Sequence, residues 1–338
     1  LEKLSPHSYN RWFSHIYVEE DARGLPHTDT ILKRFPRAIQ VPIRNYKEVF
    51  NRKHQDFRAQ KNSQKLILAC KKDGFVYEGS NFAPDFGEEN FYYNSLILNC
   101  IYDCQYCYLQ GMYPSANVVI FVNERDFFEH TSGMLKQLGS MYLCISYDTD
   151  LLAFENIIPY SNNWINFASK NSNITIELRT KSANYKQIKH LKPLDNVILA
   201  WTLSPQGIAK KYEQRTPSLN ARLSSLEEAI ADGWKVRLCF DPLLLVPNWQ
   251  QEYESMVQEV FNRLPVSGLR DISIGVFRMN SGYLSNIRKQ RSDSTLIYYP
   301  YQKKDGTSTY SPSQMKELED HVSGLVKQYM PEESIIVM

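Results

Sequence analysis

No stretch of this chain approaches the 18 or so uncharged apolar residues that a membrane-spanning helix needs, so no membrane span is expected. Cysteine is scarce: six in 338 residues, too few for a disulfide scaffold. The first residues, LEKLSPHSYNRW, lack both an initiator Met and the basic-then-apolar pattern of a signal peptide. A trimmed start, a cytoplasmic location and reduced thiols are therefore the expectation. Internal repeats, low-complexity segments and long linkers are missing too. An excess of charge of one sign is nearly absent, the net charge being +2. What is present is ordinary globular material, 43% hydrophobic and 22% charged, enough for a core that needs no staples.

The charge is unevenly spread. Residues 1–70 carry 13 Lys or Arg against 7 Asp or Glu, residues 80–160 carry 2 against 10, and residues 261–310 carry 8 against 3. Two basic ends around an acidic middle would suit a polyanionic partner.

Apolar, strand-like runs alternate with amphipathic segments. The strand candidates are NSLILNC, NVVIFV, MYLCISY, ITIELRT, VILAWTL, KVRLCFD and DISIGVF. Helical spacing recurs between them, as in SLNARLSSLEEAIADGW, with its Ser start and Gly stop. This rhythm predicts an α/β fold with a parallel sheet, an open, partial β/α barrel of about six units. Residues 1–90 would pack on it as an N-terminal extension, 91–278 would be the barrel, and 279–338 a basic, tyrosine-rich extension ending in a helix. HIYVEE, AIQVPI and LILACKK read as further strands, FVYEGSNFAPDFGEENF as a loop, and NYKQIKHLK as a helix. Chemistry in such folds gathers where the strands end, and three of the six cysteines sit directly after NSLILN.

They are Cys100, Cys104 and Cys107, spaced C-x3-C-x2-C. The nearest histidine is His130. Three thiols leave three readings open: unrelated core thiols, a zinc site with a distant fourth ligand in a non-catalytic, nucleic-acid-binding protein, or a cluster whose fourth iron is open for chemistry. Cys70, Cys144 and Cys239 sit in apolar runs and read as small buried hydrophobes.

With Tyr106 before the third cysteine, and a strand before the loop, the motif resembles the radical S-adenosylmethionine (SAM) superfamily. The longer run CQYCYLQG resembles its spore photoproduct lyase family. So do HIYVEE, FRAQKNSQKLILACKK, ITIELRTKS, VILAWTLSPQ, YEQRTPSLNARLSSLEEAIADGW and STLIYYPYQKK. The resemblance implies a 4Fe-4S cluster on Cys100, Cys104 and Cys107, and SAM as second cofactor. It implies reductive cleavage of SAM to a 5′-deoxyadenosyl radical, and repair of a methylene-bridged thymine dimer in DNA to two thymines. An electron donor such as ferredoxin or flavodoxin would be a partner. Lys181, Thr149, Thr202 and Tyr108 would contact SAM, with Asp241 near it, and Tyr106 and Tyr108 would relay a hydrogen atom.

One position departs from the family. Its hydrogen-donor cysteine opens a Cys-Thr-Ser-Asp segment, and the matching stretch here, YDTD, puts Tyr147 in the donor's place. Tyr147 then either donates the hydrogen atom itself, or the enzyme acts on a different nucleotide or nucleic acid. Cys144 lies three residues upstream, which on a continuous strand is the opposite face. For the substrate, Arg278, Arg288, Lys289, Arg291, Lys303 and Lys304 are interleaved with Tyr283, Tyr298, Tyr299 and Tyr301, a mixture that suits phosphates and stacked bases. Arg11, Arg34, Arg37, Arg52, Lys53 and Arg58 would extend the basic surface.

Overall fold

A computed structural model describes residues 13–79 and 86–338. Arg11 and positions 80–85 of the loop lie outside the described residues.

The chain forms a mixed α/β fold around two largely parallel sheets. The first runs, in spatial order, Ile39–Ile43, His15–Glu19, Leu66–Ala69, Val118–Phe121 and Ile97–Leu98. Its first four strands are parallel and the last is antiparallel. Leu66–Ala69 (LILA) and Val118–Phe121 (VVIF) are apolar and buried at every position, as strands covered on both faces must be.

The second sheet runs Tyr77–Glu78, Phe91–Tyr93, Met141–Cys144, Ile174–Thr180, Val197–Thr202, Val236–Leu243, Leu269–Val276 and Ile335–Val337. All neighbours are parallel except the antiparallel edge strand Tyr77–Glu78. NSLILNC and NVVIFV, expected beside MYLCISY, pair in the first sheet instead. The all-apolar VVIF run needs cover on both faces, and it finds this beside LILA. The stretch expected to be a loop supplies Tyr77–Glu78 and the first residue of Phe91–Tyr93, the two strands that complete one edge of the second sheet. The final IIV segment completes the other.

The helix signals act as their chemistry dictates. The helix Leu219–Ala231 starts on Ser218, whose Oγ accepts from the Ala221 amide at 3.2 Å. Pro312–Val326 opens with a capping box of Ser311 and Gln314. NYKQIKHLK yields only a short 3-10 turn, Tyr185–Gln187, too few residues to propagate a helix.

The pleat of the second sheet positions the site. Leu178, Leu199, Trp201, Leu238 and Phe240 join the main core. Their alternates Ile198, Ala200 and Cys239 form a smaller cluster with Tyr142, against which Phe86, Phe91 and Cys144 pack. This second face also carries charge: Glu177, Arg179, Arg237, Asp241 and Asp271.

Candidate active site

Cys100 follows the edge strand Ile97–Leu98 through Asn99, whose φ of 69° turns the chain. The Asn99 amide donates to the Ser115 and Asn117 carbonyls at 2.6 and 2.8 Å, which fixes that turn. Asp103–Cys104 then pairs with Glu213–Gln214 in a two-strand ribbon. After Cys107 comes the short helix Leu109–Met112, and here glycine is required. A Cβ on Gly111 would lie 2.2 Å from the Tyr283 carbonyl oxygen.

The three cysteines line one cavity of about 470 Å³. Tyr106, Tyr108, Tyr147, Thr149, Lys181, Thr202, Asp241 and Tyr283 line the same cavity. Arg288, Lys289, Tyr298, Tyr299 and Tyr301 are not among its lining residues. The Arg288 guanidinium donates to the Ile297 and Tyr299 carbonyls. Tyr299 and Tyr301 pack against each other and against Tyr310. Tyr298 and Lys289 are exposed. Of the other basic candidates, Arg291 is buried against Gln110 and Asp103, Arg58 pairs with Asp293, and Arg278 reaches Asp241 at 3.2 Å within the cavity.

Burial pushes the three thiols up, Cys100 to about 12. Left alone they would be protonated, so holding three thiolates here requires positive charge from a bound group. Buried Lys61 donates to the Cys100 carbonyl, and Lys181 lies 5.5 Å from the Tyr106 ring. Among the described residues, no three His, Cys, Asp or Glu side chains converge as the ligands of one ion do. Three thiols facing one cavity are a donor set that a multi-iron cluster can use.

Each tyrosine of the loop has a definite partner. Tyr106 donates its hydroxyl to Glu213, which also accepts from Ser204 at 2.8 Å and pairs with buried Arg222. Burial raises the Glu213 carboxyl, but Arg222, Lys181 and these hydrogen bonds outweigh it and hold the carboxyl down to about 2. The Tyr108 hydroxyl donates to the Tyr147 carbonyl at 2.8 Å and to Asp148 at 3.3 Å. The Tyr147 ring stacks on Tyr93, 4.2 Å between centroids.

Cys144 and Tyr147 are not held on opposite faces. The strand ends at Cys144, and the chain turns through Ile145 and Ser146, so both Cys144 and Tyr147 line the cavity. Cys144 is only half-buried, not a core thiol.

Several residues that shape the site were not singled out in the sequence. Asp150 accepts from the Thr180 hydroxyl and the Lys181 amide, both at 2.6 Å, and so fixes the strand end that carries Lys181. Arg179 bridges Glu177 at 2.9 Å and Asp241 at 3.5 Å. Arg237 holds Glu177 at 2.7 Å and grips Asp271 through two hydrogen bonds. The alternation in ITIELRT and KVRLCFD was the available signal: charges at every second position of strands otherwise apolar.

The spore photoproduct lyase family profile matches residues 13–337. A spore photoproduct lyase of Clostridium acetobutylicum is 23% identical over 174 residues, 50% of this chain and 51% of that one. One from a Geobacillus species is 20% identical over 254 residues, 70% of this chain and 73% of that one. The chain thus spans about half the length of the first of these curated relatives. Among solved structures, a cysteine-to-alanine variant of spore photoproduct lyase superposes with a TM-score of 0.84 at 16% identity, covering 97% of this chain and 98% of that one. A double variant holding S-adenosylmethionine and a dinucleoside spore photoproduct gives 0.83 at 17% identity, with the same coverage. At these identities the superpositions establish the fold. With its profile running nearly end to end, the chain belongs to the spore photoproduct lyase family.

Proposed function

We propose that this chain is a radical SAM lyase that reverts a methylene-bridged thymine dimer in DNA to two thymines. Cys100, Cys104 and Cys107 would hold a 4Fe-4S cluster, with SAM as the second cofactor. One observation carries the reading: three thiols, Lys181 and the tyrosines around position 147 share a single cavity at the strand ends. On this reading the six strands from Phe91–Tyr93 to Leu269–Val276 form the open, partial barrel within 91–278, and the 1–90 and 279–338 segments each add an edge strand to its sheet. The protein works in the reducing cytoplasm, with an electron donor of the ferredoxin or flavodoxin type. Among the described residues no helix is long and apolar enough to cross a membrane.

When bound, the cluster and SAM supply a hydrogen-abstracting radical. The protein's own residues position and finish the reaction. The Lys181 ammonium would contact SAM, and Thr202 would offer it a hydroxyl from the neighbouring strand. The hydroxyl of Thr149 is committed to the Asn99 carbonyl at 2.8 Å, so its contribution is to brace the cysteine loop. Tyr147 is the hydrogen donor that stands where the family has a thiol. Tyr283 borders the substrate end of the cavity, while the residues near 288–301 shape the surface around it.

The test is anaerobic reconstitution with iron and sulfide, then dithionite, SAM and a synthetic spore-photoproduct dinucleotide, followed by chromatography. Formation of 5′-deoxyadenosine together with restored thymines supports the reading. Formation of 5′-deoxyadenosine over an untouched lesion sinks the lyase assignment and favours a different nucleotide substrate, the reading that Tyr147 itself motivates. Zinc at one per chain, without iron or sulfide uptake, would sink both.

A further inference from the structure

We infer that Tyr147, Tyr93 and Tyr77 form a hydrogen-atom ladder that refills Tyr147 from outside the cavity, so that SAM is consumed in each turnover; this rests on the reading of Tyr147 as hydrogen donor.

The three rings are stacked in sequence. Tyr147 and Tyr93 lie 4.2 Å apart with an interplanar angle of 26°, and Tyr93 and Tyr77 lie 5.2 Å apart at 24°. Strand pairing builds the second step, because Tyr77 sits directly opposite Tyr93 in the antiparallel edge pair. The first step comes from the turn after Cys144, which lays Tyr147 on Tyr93. Tyr93 lines the cavity, whereas Tyr77 lies beyond its wall, half-buried, with the Lys71 ammonium donating to its hydroxyl at 2.9 Å. Tyr108, the tyrosine that the family resemblance nominates, is a poorer neighbour. Its ring is 6.1 Å from Tyr147 and tilted by 52°, and its hydroxyl is engaged by the Tyr147 carbonyl and Asp148. Burial pushes the Tyr93 phenol up, so it remains an O–H that can give a whole hydrogen atom.

The Tyr147 O–H bond breaks homolytically and a C–H bond forms on the substrate radical, leaving a neutral Tyr147 phenoxyl. Tyr93 passes one electron and one proton to Tyr147, and Tyr77 then does the same for Tyr93. At the outer end, a one-electron donor of the ferredoxin or flavodoxin class reduces Tyr77, and solvent supplies the proton. The hydrogen first taken from the substrate stays in 5′-deoxyadenosine. One 5′-deoxyadenosine is therefore released per lesion restored.

Phenylalanine separates redox from packing, since it keeps the ring and the stack and removes only the O–H. In the reconstituted enzyme, Tyr93→Phe should restore about one lesion per chain and then arrest. Steady-state turnover should fall roughly tenfold or more, and a tyrosyl signal should accumulate in freeze-quenched electron paramagnetic resonance samples. Tyr92→Phe, on the same strand with the opposite face, should do none of this. A wild-type ratio of 5′-deoxyadenosine to restored lesions far below one overturns the ladder while leaving the lyase reading intact. So does a Tyr93→Phe enzyme that turns over normally. An untouched lesion in the wild type overturns the lyase reading instead. For that case a second measurement tests the ladder without cluster or substrate. The apo-protein is photo-oxidised with a soluble ruthenium complex, and nitroso-trapped tyrosines are located by mass spectrometry. Trapping at Tyr147 that drops roughly tenfold in Tyr93→Phe supports the ladder, and equal trapping overturns it.

Discussion

Replacing Arg222 with methionine should destabilise the fold by about 3–5 kcal/mol, the usual result of stranding one partner of a buried ion pair. Both partners, Arg222 and Glu213, are wholly inaccessible. The guanidinium also donates to the Thr216 hydroxyl at 2.7 Å and to the Thr202 and Pro217 carbonyls, each at 3.1 Å. A second route gives a similar magnitude. Burial favours the neutral acid, yet Arg222 above all holds Glu213 at about 2, against 4.5 for an ordinary glutamate. At about 1.4 kcal/mol per unit, that difference is worth about 3 kcal/mol. The folded-state pKa is the lower one, so this stabilisation is complete above about 4.5 and fades as pH falls through about 2. Urea unfolding at pH 7 is the assay. With a slope of about 3 kcal/mol per molar, the midpoint should fall by roughly 1 M or somewhat more. The double variant Arg222→Met/Glu213→Leu removes both charges and should be more stable than Arg222→Met alone. A loss below about 1 kcal/mol for Arg222→Met, or a double variant that loses the sum of the singles, would refute the account.

Cys104→Ala should abolish iron incorporation on reconstitution, whereas Cys70→Ala should keep it, because Cys70 is a buried thiol bonded to the Asp21 carbonyl; iron and sulfide analysis checks both. Burial pushes Glu155 up to about 7 despite the two helix amides, Ser161 and Asn162, that donate to it. Its folded-state pKa lies above the ordinary 4.5, so stability should fall by up to about 3 kcal/mol as pH rises from about 4.5 to about 7. Melting curves of Glu155→Gln should lose that slope. Gly111→Ala must force the cysteine-loop helix off the Tyr283 backbone, at a cost of about 1–3 kcal/mol. In contrast, Gly133→Ala, in open space within the helix Glu124–Leu138, should stabilise by about 0.5–1 kcal/mol. Paired thermal melts separate the two.

The strands of the second sheet were legible because each is a compact apolar run bounded by turn residues, as in VILAWT and MYLC. Sheet membership was not. Nothing in VVIF says whether it pairs with LILA or with MYLC; that is settled by long-range burial, and a period-2 pattern carries no partner label. Phe91–Tyr93 was hidden by its length of three residues, and by a neighbouring stretch of Gly, Pro and Asn that reads as loop. In the site, motif spacing pointed to Cys100, Cys104 and Cys107 as one group, and the family resemblance added Lys181. Composition was a weaker guide. Arg291, Arg58 and Arg288 look like a polyanion surface in the sequence, yet in the fold they hold carboxylates and carbonyls. Tyr299 and Tyr301 similarly pack against other rings.

The stretch from Tyr147 to Asp150 works as one device, because the two halves of the site come from different sheets. The cysteine loop hangs from the edge of the first sheet, while Lys181, Thr202 and Asp241 stand at strand ends of the second. Their relative placement depends on what ties the sheets together at this point. Thr149 bonds the Asn99 carbonyl immediately before Cys100, and Asp150 bonds the Thr180 hydroxyl and the Lys181 amide. One step earlier, buried Asp148 accepts from Ser95 and from Tyr108, just beyond Cys107. Three consecutive side chains thus clasp cysteine loop to lysine strand, with position 147 at the cavity end of the clasp. A side chain there can change from thiol to phenol without moving the backbone, since its neighbours set that backbone. The phenol reaches further than a thiol, and Tyr93 supplies the surface on which the longer side chain rests. On the reading that Tyr147 replaces the family's thiol, the departure is local: it would exchange the group presented to a substrate and leave in place the frame that presents it.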